Sequence, residues 1–301
     1  MNGRRRMELP GGSFLDFTGP VLIMAIVNCN EDSFYVSSRA LGEKALEKAL
    51  IAEEEGASII DFGGESSRPG SSYIGEEEEL ERVIPVIAAF RKHSSLPVSV
   101  DTRKAAVARS ALEAGADIVN DISALGDDPG MAAVCAELGA AVVLVHKKGD
   151  PLTMQDAPHY DDPVAEIGSY LRAAADRAMA AGIPAGKIIL DPGIGFGKRT
   201  EDNIEILRRL TAQARLLSQA SLPCLAEICG KDYPILVGLS RKSFIGEITG
   251  RSAGHRLPGT LAANCAAIMG GADIIRVHDV KEHLDLVKIM SSVLGINRSG
   301  Y

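Results

Sequence analysis

The sequence lacks any apolar run long enough to cross a membrane. The longest, Val21 to Val27, falls far short of the roughly 20 residues that a spanning helix needs. Arg4, Arg5 and Arg6 are not followed by the apolar core of a signal peptide, so the chain is expected in the cytoplasm, away from membranes. It also lacks an excess of positive charge. Lys and Arg number 32 against 40 Asp and Glu, a net charge of −8. That balance argues against a general nucleic-acid surface and leaves any polyanionic ligand to be held by local cations. No Cys-x-x-Cys occurs, and the five scattered cysteines read as reduced, buried thiols rather than disulfides or zinc ligands. The six histidines show no metal-ligand spacing. Without a Gly-x-Ser-x-Gly, neither a Ser-His-Asp triad nor a catalytic cysteine is supported. No linker, repeat or shift of composition divides the chain. One domain is therefore expected over residues 19–301, behind an N-terminal extension of residues 1–18.

What is present is a globular composition, 46% hydrophobic and 24% charged over 301 residues. Short runs rich in Val and Ile alternate with longer helical patterns. Strands are expected at Val21–Asn28, Ser58–Gly63, Pro97–Asp101, Asp117–Asp121, Ala140–His146, Lys187–Asp191, Pro234–Gly238 and Asp273–His278. Their continuous apolar character suits strands buried on both faces of a parallel sheet. Glu43–Glu55, Lys104–Ala114 and Glu201–Leu217 repeat apolar residues at helical spacing, and Gly56, Gly115 and Gly182 follow helical runs as stops. Eight β-α units make a (β/α)8 TIM barrel the first choice of this α/β class, with an open doubly wound sheet second.

The polar residues that end the strands carry the functional signal. Asn28, Gly63, Asp101, Asn120, Asp121, His146, Asp191, Ser240 and His278 fall at or just past C-terminal strand ends, the face where such barrels hold their chemistry. Some of them are equally suited to capping the helices that follow. Gly193-Ile194-Gly195-Phe196-Gly197-Lys198 is neither a P-loop, which needs Gly at 192 and Ser or Thr at 199, nor a dinucleotide fingerprint; its glycines read as a flexible turn. Arg68 lies in a loop of small residues able to close over a ligand. Ser240-Arg241-Lys242-Ser243 places cations at an expected helix start, where an anion could bind. In Arg276-Val277-His278 the cation and the imidazole share one face. The acidic run Glu76–Glu79 with Glu81 reads as a solvated helix start without function.

Six segments taken in order resemble the motifs of the dihydropteroate synthase family. They are residues 59–70 (IIDFGGESSRPG), Ser99-Val100-Asp101-Thr102, Asn120-Asp121-Ile122, residues 191–198 (DPGIGFGK), Ser240-Arg241-Lys242-Ser243 and Arg276-Val277-His278-Asp279. The resemblance runs from about Leu22 to about Val293. It implies a (β/α)8 barrel, commonly a homodimer, that joins 6-hydroxymethyl-7,8-dihydropterin diphosphate to 4-aminobenzoate in folate synthesis. It further implies that Asp101, Asn120, Asp191 and Lys242 hold the pterin, and that Asn28, Arg68, Arg276 and His278 hold the diphosphate. Asn28 would also ligate Mg2+, and Arg68, Lys242, Arg276 and His278 are carried over as the catalytic groups. Phe34, Ser67, Pro69 and Ser243 would line the aminobenzoate pocket, and Asp32 would also contact substrate. The chain departs from the family's pattern at Asn30 and Glu31, at Val36, where the family has Asp, and at Lys147, where it commonly has Met. Lys147 would either cap the pocket with charge or point away. The competing expectations are a pterin-binding paralogue without turnover and a corrinoid-linked methyltetrahydrofolate methyltransferase.

Overall fold

The computed structural model describes residues 6–29, 38–65, 73–150, 153–219, 221–229 and 233–296. The chain enters as an antiparallel hairpin, β1 (Arg6–Glu8) and β2 (Phe14–Asp16), with Met7 opposite Leu15. It then alternates strand and helix: β3 (Leu22–Asn28), α1 (Ser38–Glu54), β4 (Ile59–Gly63), α2 (Glu76–Phe90), β5 (Val98–Asp101), α3 (Ala105–Glu113), β6 (Ile118–Asp121) and α4 (Met131–Glu137). The second half continues with β7 (Ala141–Val145), α5 (Pro163–Ala180), β8 (Ile188–Asp191), α6 (Thr200–Arg208), α7 (Ala212–Ser218), α8 (Leu225–Cys229) and β9 (Leu236–Val237). It ends with α9 (Ser243–Thr249), α10 (Leu257–Met269), β10 (Ile274–Val277) and α11 (Val280–Val293). Strands β3 to β10 form one parallel sheet in the order β8-β7-β6-β5-β4-β3-β10-β9. A bridge from Leu190 to Ile235, with Leu190 N–H donating to Pro234 O at 2.9 Å, brings β8 against β9. The result is a nearly closed barrel. All eight expected strands are present, each within a residue or two of its expected bounds.

Alternation along the strands sorts the core into two. Leu22, Met24, Ile59, Ile118, Ala141, Val143, Ile189, Leu236 and Ile274 fill the barrel interior, whereas the intervening residues, such as Ile60, Phe62, Val100 and Val119, pack outward on the helices. The hairpin closes the N-terminal floor: Met7, Leu9 and Leu15 are buried against the interior cluster. Asp117 fastens it, accepting from Gly11 N–H at 3.3 Å and Val98 N–H at 3.0 Å, with Arg91 as its ion-pair partner. With the floor filled by apolar residues, polar strand ends are concentrated at the C-terminal mouth.

Two local expectations are corrected. The helix expected over Glu201–Leu217 is broken between α6 and α7. There Arg209 turns its buried guanidinium to Asp162 and the carbonyl of Pro223, and the Thr211 hydroxyl accepts from Ala214 N–H at 3.3 Å, restarting the helix. In the acidic run, Glu76, Glu77 and Glu78 are exposed, but Glu79 is fully buried and pairs with Lys104. A carboxylate one turn into α2 faces the barrel, so it is the cation on the neighbouring element, not solvent, that balances it.

Candidate active site

Strand register gathers the site. Asn28 stands opposite Gly63, Gly63 opposite Asp101, and Asp101 opposite Asn120, one row across β3, β4, β5 and β6. Inward alternation also directs Asp61 on β4, Asp191 on β8 and Arg276 on β10 to the same interior. Arg276 links them: its Nε donates to Asp61 Oδ2 at 2.6 Å and its Nη2 to Asp101 Oδ2 at 2.8 Å. Asn120 Nδ2 donates to the same Asp61 oxygen at 3.1 Å. Asp61 carries no exposed surface, and its Oδ1, like the Ser99 hydroxyl two residues below Asp101, has no hydrogen-bond partner among the described residues. Buried polar atoms without partners are rare in folded proteins; these two lie under the cluster of polar strand ends, and two others, Glu79 Oε1 and Asn264 Oδ1, belong to α2 and α10.

Burial sets the electrostatics. Removal from water pushes the Asp191 carboxyl up to about 6, opposed by the charges of Lys242, Lys198 and Arg276. Asp101 is raised above the usual carboxylate range by burial, with Arg276 opposing and Asp61 adding to the rise. Asp191 Oδ1 accepts from Gly193 N–H at 2.7 Å, which fixes its carboxylate. Lys242, at the N-cap of α9, holds its Nζ 3.8 Å from the Phe196 ring centroid. Ser243 is the first residue of α9 and is exposed. His278 follows β10 and shares a hydrogen bond with Ser240, Nδ1 to Oγ at 2.9 Å. Asn28 is half-buried at the end of β3. The structure therefore brings Asp101, Asn120, Asp191, Lys242 and Arg276 into one cluster, with Asn28, Ser243 and His278 on the same rim. Asp32, Phe34, Ser67, Arg68 and Pro69, together with Asn30, Glu31 and Val36, lie outside the described residues.

Two side chains sit differently from the sequence expectation. Arg241 is no pocket cation: its backbone takes a positive φ of 57° and its guanidinium pairs with Asp279. Asp121 is turned from the interior to hold its own loop, accepting from Ser123 and Leu125 N–H at 2.7 and 2.9 Å. Lys147, whose direction the sequence left open, pairs with Asp127 at 2.6 Å, and Asp127 in turn meets Arg103, which meets Glu65 at 2.7 Å. That chain of alternating charges ties together the segments that follow β4, β5, β6 and β7. Sequence reasoning missed Asp61 altogether. Its signal was available, a carboxylate at an inward position of a strand apolar on both faces.

Among the described residues, no group of three or more His, Cys, Asp or Glu side chains is placed to hold a metal ion, and no helix is long and apolar enough to cross a membrane. All five cysteines are free thiols, four of them buried.

The family model for pterin binding enzymes matches residues 24–278. Dihydropteroate synthases of Synechocystis sp. and Escherichia coli are each 41% identical over 285 residues, covering 94% of this chain and 93% and 95% of theirs. The Xanthomonas albilineans dihydropteroate synthase solved with 4-aminobenzoic acid superposes with a TM-score of 0.85 at 39% identity, over 98% of this chain and 100% of that one. The same enzyme solved with 7,8-dihydropteroate gives 0.81 at 37% identity, over 97% and 100%. With its barrel, its polar strand ends and these relatives in agreement, the chain belongs to the dihydropteroate synthase family of pterin-binding enzymes.

Proposed function

We propose that the chain is a dihydropteroate synthase, a transferase that joins 6-hydroxymethyl-7,8-dihydropterin diphosphate to 4-aminobenzoate and releases diphosphate. The observation that carries this reading is the inward cluster of Asp61, Asp101, Asn120 and Asp191, which presents acceptor oxygens beneath the mouth. The amino-pyrimidine edge of a pterin alternates donors and acceptors, and carboxylates beside one amide match that alternation. Asp101, Asn120, Asp191 and Lys242 are the groups we assign to it.

Asn28, Arg276 and His278, with Arg68, are assigned to the diphosphate end, where negative charge grows as the C–O bond breaks. The electron-rich pterin ring stabilises the methylene cation left behind. The aniline nitrogen then attacks that carbon, forms the C–N bond and gives its proton to solvent. No covalent link to the protein is needed. Phe34, Ser67, Pro69 and Ser243 are assigned to the aminobenzoate, and Asp32 to substrate contact.

Mg2+ fits the donor set in one way. A single neutral oxygen ligand, Asn28, at the edge of a cationic rim suits an ion that keeps several waters and takes substrate phosphate oxygens rather than a protein cage. Bound there, it would neutralise charge on the departing diphosphate. A homodimer is supported by exposed Ile289 and Val293, one turn apart on α11, and exposed Met269 on the adjoining α10. Free thiols accord with a reducing, cytoplasmic location.

The reading is tested by incubating the protein with both substrates and Mg2+ and identifying the product by mass. 7,8-Dihydropteroate is expected. Retention of the pterin without product would favour the non-catalytic paralogue.

A further inference from the structure

Lys198 is one of the most enclosed cations in the molecule, 3% exposed, and the function above gives it no task. Its Nζ lies 2.8 Å from Gly193 O, 2.9 Å from His146 Nδ1, 3.0 Å from Phe196 O and 3.3 Å from His146 O. These partners belong to two segments, the end of β7 and the turn after β8. The turn is pressed onto its neighbour: a Cβ on Gly193 would stand 1.8 Å from His146 O, and one on Gly197 2.1 Å from Lys148 O. Both glycines, and Gly195 between them, have positive φ. Their role is therefore close backbone approach rather than flexibility. Gly195 N–H donates to Asn203 Oδ1 at 2.9 Å, and the Tyr160 hydroxyl donates to Gly197 O at 2.9 Å, so the turn is held along its length. It carries Phe196, under Lys242, and it supplies the Gly193 N–H that fixes Asp191.

We propose that Lys198 is a positioning residue for the pterin end of the site: its buried ammonium draws the Gly193–Phe196 turn onto the end of β7 and supplies a fixed positive charge for Asp191. This rests on the reading of Asp191 as a pterin ligand. An ammonium has three protons for the four acceptors around it, and a neutral His146 offers Nδ1 as one of them. The alternative, a neutral amine accepting from His146 Nδ1–H, would leave two protons for three carbonyls and remove a cation from beside Asp191. Burial holds the basicity of Lys198 well below that of a free lysine, with Lys242 and Lys148 adding and Asp191 and Asp202 opposing, so it is the proton count at its four acceptors that assigns the ammonium. Burial beside Lys198 and Lys148 pushes the His146 imidazole down to about 2, so it stays neutral. Around Asp191 the facing charges are Lys242, Lys198 and Arg276.

The test is the pH dependence of 6-hydroxymethyl-7,8-dihydropterin binding in the native chain and in Lys198→Met. For the variant we expect affinity at neutral pH to fall by about tenfold and the midpoint of the acid loss to move upward by about one pH unit. A purely structural role would weaken binding at every pH without moving the midpoint, and that result overturns the proposal. Should Lys198→Met not fold, the Nζ nitrogen resonance of Lys198 in the native chain decides instead. An ammonium signature at neutral pH is expected, and a neutral-amine signature overturns the proposal. A native chain that binds no pterin removes the assignment of Asp191 beneath it, whereas native binding with an unmoved midpoint removes only the role of Lys198.

Discussion

Asp191 and Asn120 each present polar atoms at the mouth, and neither belongs to the apolar core. Replacing either with alanine is expected to weaken pterin binding by about 1–3 kcal/mol, the cost of one hydrogen bond lost in a dry site. Titration calorimetry with a pterin measures it, and unchanged affinity in both variants would move the pterin site elsewhere. A pH effect follows from the same residue. Because burial raises the Asp191 carboxyl to about 6, its anion, the form that accepts pterin N–H bonds, is lost as pH falls through that value. Pterin affinity should then drop by about tenfold per pH unit below the midpoint. In the unliganded protein the sign reverses. The raised value contributes stability that is complete below the ordinary carboxylate range and is lost as pH rises through about 6. Most of these residues were legible in the sequence, since each ends an apolar run with a polar group. Asp61 was passed over because it sits inside its strand rather than at its end, although a carboxylate in an apolar strand was itself a signal; the convergence of Arg276 and Asn120 on one of its oxygens shows its place.

The elements that position the site were legible where a single period dominates. The strands could be read because both their faces are buried. The helix expected over Glu201–Leu217 could not, because its interruption depends on Arg209 finding Asp162, a residue 47 positions away. Glu79 was misjudged for the same kind of reason: its partner Lys104 lies on the far side of β5, and a run of glutamates by itself suggests solvent. The hairpin of β1 and β2 is the element whose task is stability rather than chemistry. Leu15 is 2% exposed on the barrel floor, at the opposite end from the polar mouth. Leu15→Ala should therefore cost about 2–5 kcal/mol in chemical or thermal unfolding. KM for either substrate should stay unchanged in the folded fraction. A large rise in KM with full stability would show instead that the floor and the mouth communicate.

At the scale of the whole molecule, the barrel separates its tasks: an apolar floor and a polar mouth. Ile289 and Val293, 64% and 72% exposed on α11, are the apolar pair on which the proposed homodimer rests. Ile289→Glu is expected to shift the sedimentation profile from dimer to monomer at moderate concentration, and a native chain already monomeric would contradict the association proposed.

The central claim, that this mouth joins a pterin diphosphate to an aminobenzoate, is tested most directly by steady-state diphosphate release. The native chain with both substrates and Mg2+ should release diphosphate continuously, with little release from the pterin substrate alone and a marked loss in Asp191→Ala. Release that proceeds at the same rate without 4-aminobenzoate, or none with both substrates present, would contradict the account.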